Sequence, residues 1–165
     1  MKVLVLGMGN PILSDDGVGL FVTRALEGRI KGVDVVTCTL SGLSLLDVIV
    51  GYDKVFLADA LILEGRSIGE LRKLQDGEGT LHLFSSHGTD FFQLLQFGRE
   101  LGLRMPEVGG VYGIEIGDHL SFSEELSLEM KEKTKSIIDR IVEDIKSNLI
   151  LNGTFQSSLN MNTEP

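Results

Sequence analysis

The sequence contains a single cysteine, Cys38, so no internal disulfide is possible and nothing asks for an oxidising compartment. It has no uninterrupted apolar segment approaching the length of a membrane span. The apolar run near its start, Val3–Leu6, is too short for a signal peptide and has no small-residue cleavage site behind it. These observations predict a cytoplasmic protein with no membrane partner. Positive charge is also scarce, with 15 Lys and Arg against 24 Asp and Glu, for a net charge of −9. Such a surface repels a phosphate backbone, which argues against nucleic acid as a partner. The densest basic group, Lys131, Lys133 and Lys135, alternates with acids and reads as a solvated helix face.

Several catalytic and cofactor signatures are missing too. No Gly-x-Ser-x-Gly nucleophile elbow and no phosphate-binding Gly-Lys-Ser/Thr sequence exists. The Gly7-x-Gly9 turn begins like a dinucleotide fingerprint. Ile12 stands where its third glycine belongs, however, and Cys38 and Thr39 stand where an acid would close the second strand.

What is present is the composition of a globular domain, 42% hydrophobic and 24% charged. The pattern predicts one domain over residues 1–150 and a disordered tail over 151–165, where the chain turns polar and aperiodic. Val3–Leu6, Val33–Thr39 and Lys54–Ala58 read as strands, separated by helical segments at Gly17–Leu26 and Leu43–Val50. This alternation predicts an α/β fold whose parallel sheet is covered on both faces. Ile68–Leu74 and Thr80–Phe84 read as further strands, one of them antiparallel. Thr89–Leu101 is helical, with Phe91, Phe92, Leu94, Leu95 and Leu101 inward. Val108–Ile116 is the last strand, and a long amphipathic helix capped by Ser127 follows.

In open α/β sheets the functional crevice lies at the carboxyl ends of the strands. Asp15 and Asp16 follow the first strand, Asp59 closes the third, and His87 follows the Thr80–Phe84 strand. Two carboxylates and an imidazole make a three-ligand set with open positions, suited to nickel, zinc or cadmium. Each has an ordinary competing role. Asp15 or Asp16 can cap the first helix, and one of the two is assigned that task. Asp59 can be satisfied by backbone amides, and a lone loop histidine is most often solvated. His82 and His119 are read as solvated, and Cys38 as a core thiol.

The run Gly7-Met8-Gly9-Asn10-Pro11-Ile12-Leu13-Ser14-Asp15-Asp16-Gly17-Val18-Gly19 resembles the N-terminal motif of the hydrogenase maturation proteases. Leu57-Ala58-Asp59-Ala60 and Ser85-Ser86-His87-Gly88-Thr89 resemble that family's second and third motifs. Gly42–Asp47 and Val111–Ile116 also look like family blocks, and the likeness spans roughly residues 2 to 146. It implies a three-layer α/β/α sandwich with a mixed, mostly parallel five-stranded sheet, of the phosphorylase/hydrolase-like kind. It implies an endopeptidase that trims the C-terminal extension of a hydrogenase large-subunit precursor already loaded with nickel. Asp16, Asp59 and His87 are then the metal ligands and Asp16 and Asp59 the catalytic groups, with Gly7, Gly9, Asn10 and Asp15 shaping the loop. The nickel comes with the substrate, and other divalent metals can substitute for it. Asp16 stands where some members carry Glu, one methylene longer.

Two mechanisms are compatible with these residues: metal polarisation of the scissile carbonyl, or acid–base work by a carboxylate pair sharing a proton. Two rival functions use similar features. A nickel-checking chaperone would need the same three residues without cutting. A peptidyl-tRNA hydrolase-like enzyme shares the Gly-x-Gly-Asn-Pro turn but needs a basic groove and an early histidine, and the first histidine here is His82.

Overall fold

The computed structural model describes residues 1–40, 42–62, 67–75, 91–117 and 121–151. Its strands are β1 (Val3–Met8), β2 (Asp34–Cys38), β3 (Lys54–Ile62), β4 (Leu71–Leu74) and β5 (Glu107–Ile116). Its α-helices are α1 (Val18–Arg24), α2 (Leu46–Ile49), α3 (Phe91–Glu100) and α4 (Leu128–Leu151). The strands form one sheet in the order β2-β1-β3-β5-β4. All neighbours are parallel except β4, which runs antiparallel to β5. The expected mixed, mostly parallel five-stranded sheet is therefore present. The Ile68–Leu74 segment supplies its antiparallel strand, shortened to Leu71–Leu74.

The side-chain alternation of β1 explains the layering. Val3 and Val5 point to one face, where they join Val18 and Val22 of α1 and Ile137, Ile141 and Ile145 of α4. Leu4 and Leu6 point to the other, where they join Leu46 and Ile49 of α2 and Leu94 and Leu95 of α3. A strand buried on both faces must be apolar throughout, which is why β1 reads as a continuous hydrophobic run. No helix among the described residues is long and apolar enough to cross a membrane.

The chain leaves β1 toward β2 on one side, then crosses back to β3 on the other. The carboxyl ends of β1 and β3 therefore flank a topological switch point, the place where an open α/β sheet splays its connections and leaves a crevice.

The first helical segment departs from expectation. Ser14–Gly17 forms a 3-10 turn, and α1 proper covers only Val18–Arg24. Neither Asp15 nor Asp16 caps α1, whose N-cap position is Gly17 with no side-chain bond. Leu101, expected inward, is exposed because α3 ends at Glu100. Ser127 does cap α4, its Oγ accepting the Met130 N–H at 3.2 Å. Cys38 is buried, and its Sγ accepts the Leu40 N–H at 3.3 Å. The Thr80–Phe84 segment, His82, His87, His119 and the tail beyond Leu151 lie outside the described residues.

Candidate functional site

The loop after β1 is built around close backbone contacts. Gly9 has φ of 147°, and a Cβ there would sit 2.2 Å from the Asp16 carbonyl oxygen, so only glycine fits. Gly19, at the start of α1, presses onto the sheet. A Cβ there would lie 2.2 Å from the Met8 oxygen and 2.9 Å from Asp59 Cα. That approach carries the 3-10 turn, and Asp16 with it, onto β3. Gly7 belongs to the same tight packing, since a Cβ there would meet the Thr23 side chain at 2.5 Å.

Asn10 organises the turn. Its side-chain Oδ1 accepts the Ile12 N–H at 3.2 Å and its carbonyl accepts the Leu13 N–H at 3.2 Å. Its own N–H donates to Asp16 Oδ2 at 3.1 Å. Asp16 is thereby held with one oxygen toward the backbone.

Asp59 does not close its strand, since β3 continues to Ile62. It is instead the first β3 residue beyond the paired end of β1, where Gly7 opposes Ala58. The β1–β3 ladder thus ends just before Asp59, which stays paired in register with Gly113 of β5. Its Oδ1 accepts the Ala60 N–H at 2.8 Å, and the residue is 5% exposed.

The electrostatics of the two acids follow from this placement. Burial pushes the Asp59 carboxyl well above the usual aspartate range; the Ala60 N–H opposes this, and the negative charge of Asp16 adds to it. Burial also raises Asp16, with the Asn10 N–H pulling the other way. The structure thus brings Asp16 and Asp59 into electrostatic contact. A carboxyl whose ionised form is disfavoured beside a second carboxylate is an arrangement that acid–base catalysis can use.

Asp15 points away from this pair. Its Oδ1 accepts the Ser127 N–H and its Oδ2 the Ser127 hydroxyl, both at 2.7 Å. Its helix-terminus role is real but belongs to α4, 112 residues distant in sequence, not to α1.

Glu115 is a further buried carboxylate that the sequence reading does not single out. It is 1% exposed on β5, two residues past Gly113, the partner of Asp59 in register. Alternation therefore places Glu115 and Asp59 on the same sheet face. An acid inside the apolar run Val111–Ile116 was the available signal. Among the described residues, no group of three or more His, Cys, Asp or Glu side chains is placed to hold a metal ion. The described part of the site offers two hard oxygen donors, Asp16 and Asp59, and the third expected ligand, His87, lies outside it.

Comparison with known proteins adds independent findings. Residues 22–147 match the sequence model of the family described as HycI, hydrogenase maturation protease. The chain is 32% identical over 81 residues to the hydrogenase 2 maturation protease of Escherichia coli (strain K12). That alignment covers 47% of this chain and 49% of the relative, so the chain spans about half the length of that protein. A crystal structure of the hydrogenase 2 maturation peptidase from a Thaumarchaeota archaeon is 30% identical, with a TM-score of 0.59. It covers 87% of this chain and 97% of its own. The hydrogenase maturating endopeptidase HybD from E. coli is similar in fold, with a TM-score of 0.68 at 24% identity over 93% of this chain and 94% of that one.

Proposed function

The chain belongs to the hydrogenase maturation protease family, and on that premise we propose that it is an endopeptidase acting on a nickel-loaded hydrogenase large-subunit precursor, from which it removes the C-terminal extension. The observation that carries this reading is the pair of buried carboxylates, Asp16 and Asp59, at the switch point of the sheet.

Nickel enters as part of the substrate. In the free protein, burial and the nearby charge of Asp16 disfavour the ionised form of Asp59. A divalent cation carried in by the precursor engages the carboxylates and favours their ionised forms, since ligand oxygens must be ionised. Asp16, Asp59 and His87 then contact the nickel, and zinc or cadmium can take its place. The ionised pair accepts a proton from the water that attacks the scissile carbonyl. As the carbon–nitrogen bond breaks, that proton passes to the leaving amine. We place the reaction in the cytoplasm, where Cys38 stays reduced.

The test is incubation of the purified chain with nickel-loaded and nickel-free precursor, followed by intact mass. Loss of the C-terminal peptide from the loaded precursor alone is expected. No cleavage of either, with binding retained, would overturn the peptidase reading in favour of a nickel-checking chaperone. Cleavage of both would overturn the nickel requirement.

A further inference from the structure

The segment before α4 grips the turn that carries Asp16 at several points. Leu13 pairs with Ser123 in an isolated parallel bridge, and the Ser123 N–H donates to the Ile12 carbonyl at 3.1 Å. The Ser14 N–H donates to the Ser123 carbonyl at 2.8 Å, and its hydroxyl to the Glu125 carbonyl at 3.0 Å. Ser127 then donates twice to the Asp15 carboxylate.

These ties hold a conformation the turn would not keep alone. Ser14 has φ of 50°, the one non-glycine residue at positive φ among those described. Such a conformation is unfavourable for a residue with a side chain and persists only where its surroundings enforce it. The residue after it, Asp15, is the anchor, and the residue after that is Asp16. Ser127 is well suited to hold the anchor. Its hydroxyl donates to Asp15 while accepting the Met130 N–H, so the 24-residue helix α4 fixes its rotamer.

We propose that Asp15 and Ser127 form a positioning clamp that holds the strained Ser14 turn and thereby sets the place of the Asp16 carboxylate. The two neighbouring acids divide the work: Asp15 fixes the turn to α4 from outside, and Asp16 serves the crevice from inside. The effect on catalysis rests on the peptidase reading given above. The effect on the turn does not.

Two measurements on the full chain separate these. The first is amide hydrogen exchange at Asn10, whose N–H bonds both Asp16 Oδ2 and the Asp16 carbonyl and so reports the turn directly. Ser127→Ala removes the hydroxyl arm. It is expected to speed Asn10 exchange by about tenfold or more, while Leu6 and Leu57 in the central strands exchange as before. Ser127→Thr keeps both donors and is expected to restore wild-type exchange. The second measurement is precursor cleavage. Ser127→Ala is expected to lower kcat by about 10- to 100-fold, the cost of misplacing a reacting group by roughly an ångström, with KM within about twofold. The double variant Asp15→Asn/Ser127→Ala should be no slower than the poorer single variant, because both act on one tie. Unchanged Asn10 exchange in Ser127→Ala would overturn the clamp. So would exchange that rises equally at Asn10, Leu6 and Leu57, which marks a merely structural role. Failure of the wild-type chain to cut the precursor would count against the peptidase reading, and the exchange result would still decide the clamp.

Discussion

The two ends of β3 treat their acids in opposite ways. At the amino end, Asp53 accepts the Lys2 N–H at 2.6 Å and pairs with the Arg104 guanidinium, while its own N–H donates to the Lys2 carbonyl at 2.8 Å. The Lys2 ammonium lies 4.4 Å from the centre of the Tyr52 ring nearby. The Lys2 N–H and Arg104 together hold the Asp53 carboxyl below the usual range. Six residues later Asp59 has one backbone donor and no cationic partner among the described residues, and burial holds its carboxyl high. One end uses charge to close the sheet. The other keeps a carboxylate in an environment that disfavours its ionised form, which costs stability.

The largest expected break of this contrast is loss of chemistry at the carboxyl end. Asp16→Asn or Asp59→Asn should reduce precursor cleavage by about 10²- to 10⁴-fold, the range for loss of a general acid or base, with the fold intact by circular dichroism. His87→Ala should abolish processing similarly if that imidazole is the third contact to nickel, again read by intact mass.

A smaller effect separates stability from function. The Asp59 carboxyl is raised in the folded state, so the unfolded chain ionises first as pH rises. Wild-type stability therefore falls as pH climbs from the usual aspartate range toward the folded-state value. Asp59→Asn keeps the acceptor for the Ala60 N–H but carries no ionisation penalty. It should melt higher than wild type at pH 7, by on the order of 1 kcal/mol or about 2–4 °C. The gain should vanish near pH 4, and thermal melts across that interval check it.

The mildest change is expected from Asp53→Asn. A depressed carboxyl contributes stability above its unfolded value and loses it as pH falls. This exposed pair should therefore lower the melting temperature slightly at pH 7, less so in high salt, and not at all in strong acid.

The parts legible in the sequence were those that depend on local pattern. β1, β2 and β3 announced themselves because parallel strands buried on both faces must be apolar, and the antiparallel strand was signalled by the change of pattern after Ile62. The tight loop was legible from the Gly7-x-Gly9-Asn10-Pro11 turn, and the fold shows that a side chain at Gly9 would meet the Asp16 carbonyl. The parts that were not legible depend on pairing at a distance. A helix-capping reading of Asp15 is the natural local one, and only the fold shows its partner to be Ser127, at the end of the chain's last long connection. Likewise Asp59 reads as a strand end because its apolar run stops there. The strand in fact continues to Ile62, paired with β5 beyond the last residue paired with β1. Glu115 lay unnoticed inside an apolar run because no local rule gives an acid a place in a buried strand.

The contrast between the two ends of β3 is tested most directly by intact-mass analysis of nickel-loaded precursor incubated side by side with wild type, Asp53→Asn and Asp59→Asn. Asp53→Asn is expected to release the C-terminal peptide at the wild-type rate and Asp59→Asn to release essentially none. Processing by Asp59→Asn at a near-normal rate would contradict that contrast.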